Sequence, residues 1–210
     1  MKKINKIMLI LTSIIILLPM AYGVMVWDRL PEQVAIHFDV NNVPNGWASR
    51  GVAVFGLPIF MLVIYLIAII ATENSKRREN IDDKMMAVLM WSIPAISVIT
   101  SFLTYGYALG SKVKIGFIIT AMLGVLFMVL GNYMPKCKTN GVVGIRIPST
   151  FSSTENWNRT HRLAGFTFTI GGAALLVSAY FENWPILLII ILAMTLIPII
   201  YSIYYQMSHK

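Results

Sequence analysis

Two stretches of this chain concentrate the side chains that could do chemistry. The first, residues 28–50, places His37 and Asp39 two positions apart. In an extended strand such a pair shares one face, which could begin a metal site. A closed zinc centre takes four ligands, so two fall short. The competing reading is a histidine held by hydrogen bonds. Val34, Ile36 and Phe38 alternate with Ala35 and His37, which predicts a short strand. The run Asn-Asn-Val-Pro-Asn-Gly at 41–46 predicts a tight turn. Pro31 lies ahead of the strand and Trp47 follows Gly46. Neither a metal nor a cofactor is expected.

The second stretch, residues 135–163, carries Lys136, Lys138, Arg146, Arg159 and Arg162 together with Trp157 and His161. Ser152-x-x-Glu155 reads as a capping box, so a helix should start there and run on into an apolar stretch. On that helix Trp157, His161 and Gly165 fall on one face. Upstream, Asn140-Gly141 and Gly144 predict tight turns, and Pro148 disfavours helix just before it. Cations beside an indole and an imidazole fit a surface that grips a protein. They equally fit an interfacial loop whose arginines touch lipid phosphate. An enzyme would need a nucleophile with a base, or paired carboxylates, within reach. Glu155 and His161 are six residues apart and face different ways on a helix, so no residue is assigned a catalytic role. The single cysteine, Cys137, can form no internal disulfide and lacks metal-site spacing.

Apolar runs must position both stretches. Hydrophobic residues make up 57% of the chain and charged residues 12%, against ~25% charged in a soluble domain. A folded surface in water needs more polar cover than this. Six stretches approach the ~20 apolar residues that cross a bilayer: 7–27, 51–71, 85–109, 115–134, 165–181 and 184–204. None contains Asp, Glu, Lys, Arg or His. They do not alternate as barrel strands do. The first is longer than the ~7–15 residues of a cleavable signal core and reads as a membrane helix. The fold class is therefore an all-α membrane protein of about six transmembrane helices with a small extended element outside. Residues 1–210 form a single polytopic domain with loop modules at 28–50 and 135–163.

The net charge of +8 points to a membrane surface rather than direct nucleic-acid binding, because the basic residues sit between apolar runs. Alternate loops hold thirteen Lys and Arg on one side against four on the other. The richer side is cytoplasmic, which places both termini inside and 28–50 outside. The acceptor-like Asn158-Arg159-Thr160 then falls inside and is discounted as a glycosylation site. Trp27, Trp184, Tyr201, Tyr204 and Tyr205 sit at span ends as interface anchors. Pro19, Pro58, Pro94 and Pro198 lie within spans, where neighbouring helices must satisfy the freed carbonyls. Gly106-x-x-x-Gly110 reads as a possible close-packing motif. A hydroxyl stripe, Ser97, Ser101 and Thr104, could line a transport path or glue helices together. A small transporter or channel is thus the alternative to a binding protein.

The two loops also carry a resemblance. Gly131, Asn132, Tyr133, Met134, Asn140, Gly144, Ile145, Arg146, Pro148, Thr150, Trp157, Thr160, His161, Arg162 and Gly165 match the pattern of the SdpI family of bacterial immunity proteins. Leu30, Pro31, His37, Gly46 and Trp47 resemble the N-terminal module of its longer members. Ile147, Ser149 and Asn42 depart from the pattern, which more often has Thr, Trp and Gly. The resemblance implies a bacterial cell-membrane protein that neutralises a sporulation-delaying peptide toxin. It also implies a second role, holding a small helix-turn-helix repressor at the membrane. Partner-binding residues are then expected at Asn132, Asn140, Gly144, Arg146, Pro148, Thr150, Trp157, Thr160, His161 and Arg162. Pro31, His37, Asp39, Gly46 and Trp47 are expected to form the outer site.

Overall fold

The computed structural model describes residues 4–209; Lys2, Lys3 and Lys210 of the charge count lie outside them. Six helices are long and apolar enough to cross a membrane: α1 (Lys6–Met25), α2 (Leu57–Glu73), α3 (Asp83–Ala108), α4 (Ile115–Tyr133), α5 (Thr154–Phe181) and α6 (Trp184–Ser208). Between α1 and α2 lies an antiparallel hairpin of β1 (Gln33–Phe38) and β2 (Pro44–Ser49). The protein is a multi-pass membrane protein. Several helices overrun their apolar cores. α5 begins eleven residues before Gly165, because Ser153 caps it and the side chains of its first turns bond to the backbone of the preceding loop. The chain divides into two compact units, 4–70 with 89–116 and 71–88 with 117–209.

In the first unit α1 packs through one face against α2 and α3. Its buried residues Thr12, Ile16, Pro19 and Gly23 recur at helical spacing along one face. The Thr12 and Tyr65 hydroxyls meet at 2.5 Å. Ser97 of α3 donates to the Ile16 carbonyl at 3.0 Å, so this member of the hydroxyl stripe acts as glue between helices. A Cβ on Gly23 would sit 2.8 Å from Val54, which marks how closely the chains approach there. A short π-helical segment, Val52–Gly56, leads into α2. Pro58 has no N–H to offer the carbonyl of Val54. The Tyr105 hydroxyl of α3 donates to that carbonyl instead, at 3.4 Å.

The second unit answers a proline in the same way. Pro198 of α6 leaves the Met194 carbonyl without its helical donor, and the Thr167 hydroxyl of α5 supplies one at 3.0 Å. The core joins Met134, Ala164, Phe168, Leu175 and Met194. Antiparallel α4 and α5 meet across glycines spaced seven apart on each helix, Gly124 opposite Gly172 and Gly131 opposite Gly165. A Cβ on Gly172 would lie 2.5 Å from the Gly124 carbonyl oxygen, and one on Gly131 3.0 Å from that of Gly165. The backbones are in contact.

The pair Gly106 and Gly110 does something else. Gly110 is left-handed (φ +85°). Its N–H bonds to the Tyr107 carbonyl, and the Ser111 N–H to that of Gly106. This is a helix stop rather than a packing motif.

Candidate functional site

Residues 137–153 fold into a loop with few regular elements, so side chains must satisfy its backbone. Asn140, buried, does most of this. Its carbonyl oxygen accepts from the N–H groups of Val142 and Val143 at 2.8 and 2.7 Å. Its amide donates to the Lys138 carbonyl and the Cys137 sulfur. Thr150, also buried, accepts from the Ile147 N–H and reaches back to the Ile145 and Ile147 carbonyls. The Trp157 indole donates to the Cys137 carbonyl at 2.7 Å.

His161 stacks on Trp157 with ring centroids 4.0 Å apart. Its Nδ1 lies 2.8 Å from the Trp157 carbonyl, and its Nε2 accepts from the Ile145 N–H at 3.0 Å. A carbonyl can only accept, so the proton sits on Nδ1 and the ring is neutral. This leaves no room at Gly144, which is left-handed (φ +113°); a Cβ there would overlap the His161 Nε2.

A second network pins the loop to α6. The Asn156 amide donates to the carbonyls of Ser149 and Ser202 at 2.8 and 3.0 Å. Its oxygen accepts from the hydroxyls of Thr160 and Ser202. The Ser149 and Ser202 hydroxyls meet at 2.8 Å. Sequence reading missed Asn156 and Ser202, although a serine in the apolar run of α6 was a usable signal. Ser149, where the family pattern has a larger residue, is a member of this network.

The structure splits the ten expected inner residues. Asn140, Thr150, Trp157, Thr160 and His161 are buried, and Gly144 is half-buried against His161. They build the loop. Asn132, Arg146, Pro148 and Arg162 are exposed. The expectation that Trp157 and His161 face a partner is thereby corrected: both are 0% exposed. The Arg146 guanidinium also donates to the Gly141 carbonyl. The helix start is corrected too. Ser153, not Ser152, caps α5 by accepting from the Asn156 N–H. The Ser152 hydroxyl is occupied with the Ser149 carbonyl, and Glu155 pairs with Arg159 at 2.8 Å.

Burial also pushes the Cys137 thiol above its ordinary pKa range, with Asn140 opposing and Asp82 reinforcing the shift. The thiolate is the reactive form. Cys137 is therefore expected to resist alkylation at pH 8 in the folded protein and to label fully in denaturant. Mass spectrometry against time checks this, and equal rates in the two states would refute it.

The hairpin separates the other expected pair. His37 Nδ1 is bonded to the Asn45 side chain across the strands. The Asp39 carboxylate accepts from the N–H groups of Asn41 and Val43, closing the turn. Gly46 faces His37, where a Cβ would lie 2.9 Å from the histidine Cβ. Pro31 is exposed, as is Trp47. β2, beginning at Pro44, occupies residues expected to be turn. The departure at Asn42 has a structural reason. Its φ of +61° is the region glycine favours and asparagine tolerates. Its side-chain oxygen accepts from the Gly116 N–H at 2.6 Å, in the first turn of α4.

Comparison with known proteins fits this division. Residues 136–202, from the start of the loop to the serine that pins it, match the SdpI/YfhL protein family. Residues 14–62, which contain the hairpin, match a domain of unknown function, DUF1648. Immunity protein SdpI of Bacillus subtilis (strain 168) is 26% identical over 191 residues, 89% of this chain and 88% of that protein. No solved structure matches. The resemblance carried by the two loops therefore holds: residues 136–202 match the SdpI/YfhL protein family, and most of the chain is similar to an immunity protein.

Proposed function

We propose that this protein is a membrane immunity and sensor protein that confers resistance to a secreted, membrane-active peptide toxin. The similarity to an immunity protein along 89% of the chain carries this reading. Expression in a toxin-sensitive strain tests it: survival should rise, and unchanged killing by every related peptide would overturn it.

The chain is taken as one membrane domain with both termini cytoplasmic, the 28–50 hairpin outside and 135–163 inside. The count of Lys and Arg supports this, and a reporter fused after the last residue should stay inside. The toxin engages the hairpin or the helix bundle and favours one arrangement of α4 and α5. A ligand can shift an equilibrium only by its differential affinity for the two states. The inner loop then presents its exposed residues, Arg146, Pro148 and Arg162, to a cytoplasmic partner such as a small helix-turn-helix repressor. Buried Asn140, Trp157 and His161 hold the loop in shape. Arg162→Ala is expected to release the partner from the membrane fraction while insertion and melting temperature stay unchanged. Arg146→Ala should do the same with a modest loss of stability, since its bond to Gly141 goes as well. Full partner retention in both variants would remove the loop from signalling.

A further inference from the structure

A cleft of about 390 Å³ opens beside the start of α5, lined by Arg77, Asn80, Lys138, Thr139, Thr154 and Asn158. It belongs to none of the residues assigned above. Its volume is more than ten times the ~30 Å³ share of one liquid water. Two cations and four neutral polar residues line it, with no carboxylate among them. Three acidic residues of the flanking segments are engaged elsewhere, and Glu79, between Arg78 and Asn80, is exposed. Glu73 pairs with Arg78 at 3.1 Å, and Glu155 with Arg159. Asp82 accepts from the Met85 N–H at the start of α3.

The walls are braced. The Asn80 amide donates to the Thr139 carbonyl at 2.7 Å, and the Gly141 N–H to that of Lys76 at 3.3 Å. The cleft is therefore formed before any ligand arrives. Arg77 is left-handed (φ +58°), a conformation glycine would adopt freely; the chain places a guanidinium there. An arginine fork, a lysine ammonium, an asparagine amide and two hydroxyls together make an array of donors suited to a tetrahedral anion with several acceptor oxygens. α2 ends just before this segment and α5 begins at it, so the cleft lies where apolar helices give way to polar chain.

We propose that this cleft binds a phosphate-bearing anion, either the headgroup of an anionic phospholipid or free phosphate. The site stands independently of the immunity reading.

The test uses the full chain, purified and placed in nanodiscs of phosphatidylcholine with or without phosphatidylglycerol. Native mass spectrometry reads retained lipid, and calorimetry in detergent reads inorganic phosphate. Arg77→Gly combined with Lys138→Ala removes both cations, and the glycine keeps the left-handed backbone. Loss of two charge-assisted contacts should weaken binding about tenfold or more. Retained phosphatidylglycerol that the double variant loses identifies a headgroup. A phosphate isotherm without lipid retention identifies the free anion. Should the double variant fail to fold, Asn158→Asp, which adds a negative charge at similar size, must weaken the same signal. Wild type that binds neither probe, or variants that bind as tightly as wild type, overturn the site.

Discussion

Gly144→Ala is expected to disorder the 137–153 loop and lower the stability of the protein by roughly 2–5 kcal/mol, the sum of a left-handed residue gaining a Cβ and a buried hydrogen bond left unmade. The added methyl overlaps the His161 Nε2. That atom is the acceptor for the Ile145 N–H, so the imidazole cannot keep both of its bonds. His161 cannot swing away either, because it is stacked on Trp157 and wholly buried. Thermal unfolding of purified protein measures the global loss. The alkylation rate of Cys137, whose carbonyl anchors the Trp157 indole, reports the loop locally. The Gly144→Ala/His161→Ala double variant should recover little, since the strained backbone remains. An unchanged melting curve with a still-protected cysteine would refute the account of the loop.

Gly172→Leu is expected to prevent α4 and α5 from packing, with a loss at or above the ~3 kcal/mol upper range for overpacking. The obstacle is backbone. A Cβ at 172 meets the Gly124 carbonyl oxygen at 2.5 Å and the Met128 nitrogen at 2.8 Å, and neither can rotate aside as a side chain could. In lipid, close approach of this kind supplies much of the attraction between helices, so the loss should show as misassembly as well as a lower melting temperature. Gly106→Ala is the contrast. Its nearest neighbour is Ser111 at 3.9 Å, and alanine in a helix should be neutral or stabilising by up to ~1 kcal/mol. Equal tolerance at 172 and 106 would mean the helices do not touch as described.

The spans were legible because a run of apolar residues long enough for lipid has few other solutions. Their ends were not. At the start of α5 the sequence from Thr154 to Arg162 is polar on one side and buried on the other, and only the loop folded beside it shows that Asn156, Trp157 and Thr160 face inward. Composition marked the inner loop as special but could not divide it. Arginine, tryptophan and histidine look alike as recognition residues until burial separates Arg162 from Trp157 and His161. The true helix–helix glycines were overlooked for a similar reason. Gly124 and Gly131, like Gly165 and Gly172, are seven apart, and each pair acquires meaning only when the other helix is set against it. Asn42 was the opposite case: a departure in sequence that its backbone angle and its bond to Gly116 explain.

Ser202 completes a set of bonds begun more than fifty residues earlier, at Ser149. A nascent chain halted before that position leaves the Asn156 side chain with its bonds to Ser149 and Thr160 but without the Ser202 carbonyl and hydroxyl, and leaves the Ser149 hydroxyl without its partner. The inner loop thus cannot finish folding while the last span is still being synthesised. Its maturation is timed by translation of the C-terminal end, and prematurely terminated products would display an unfinished loop to the proteases that clear faulty membrane proteins.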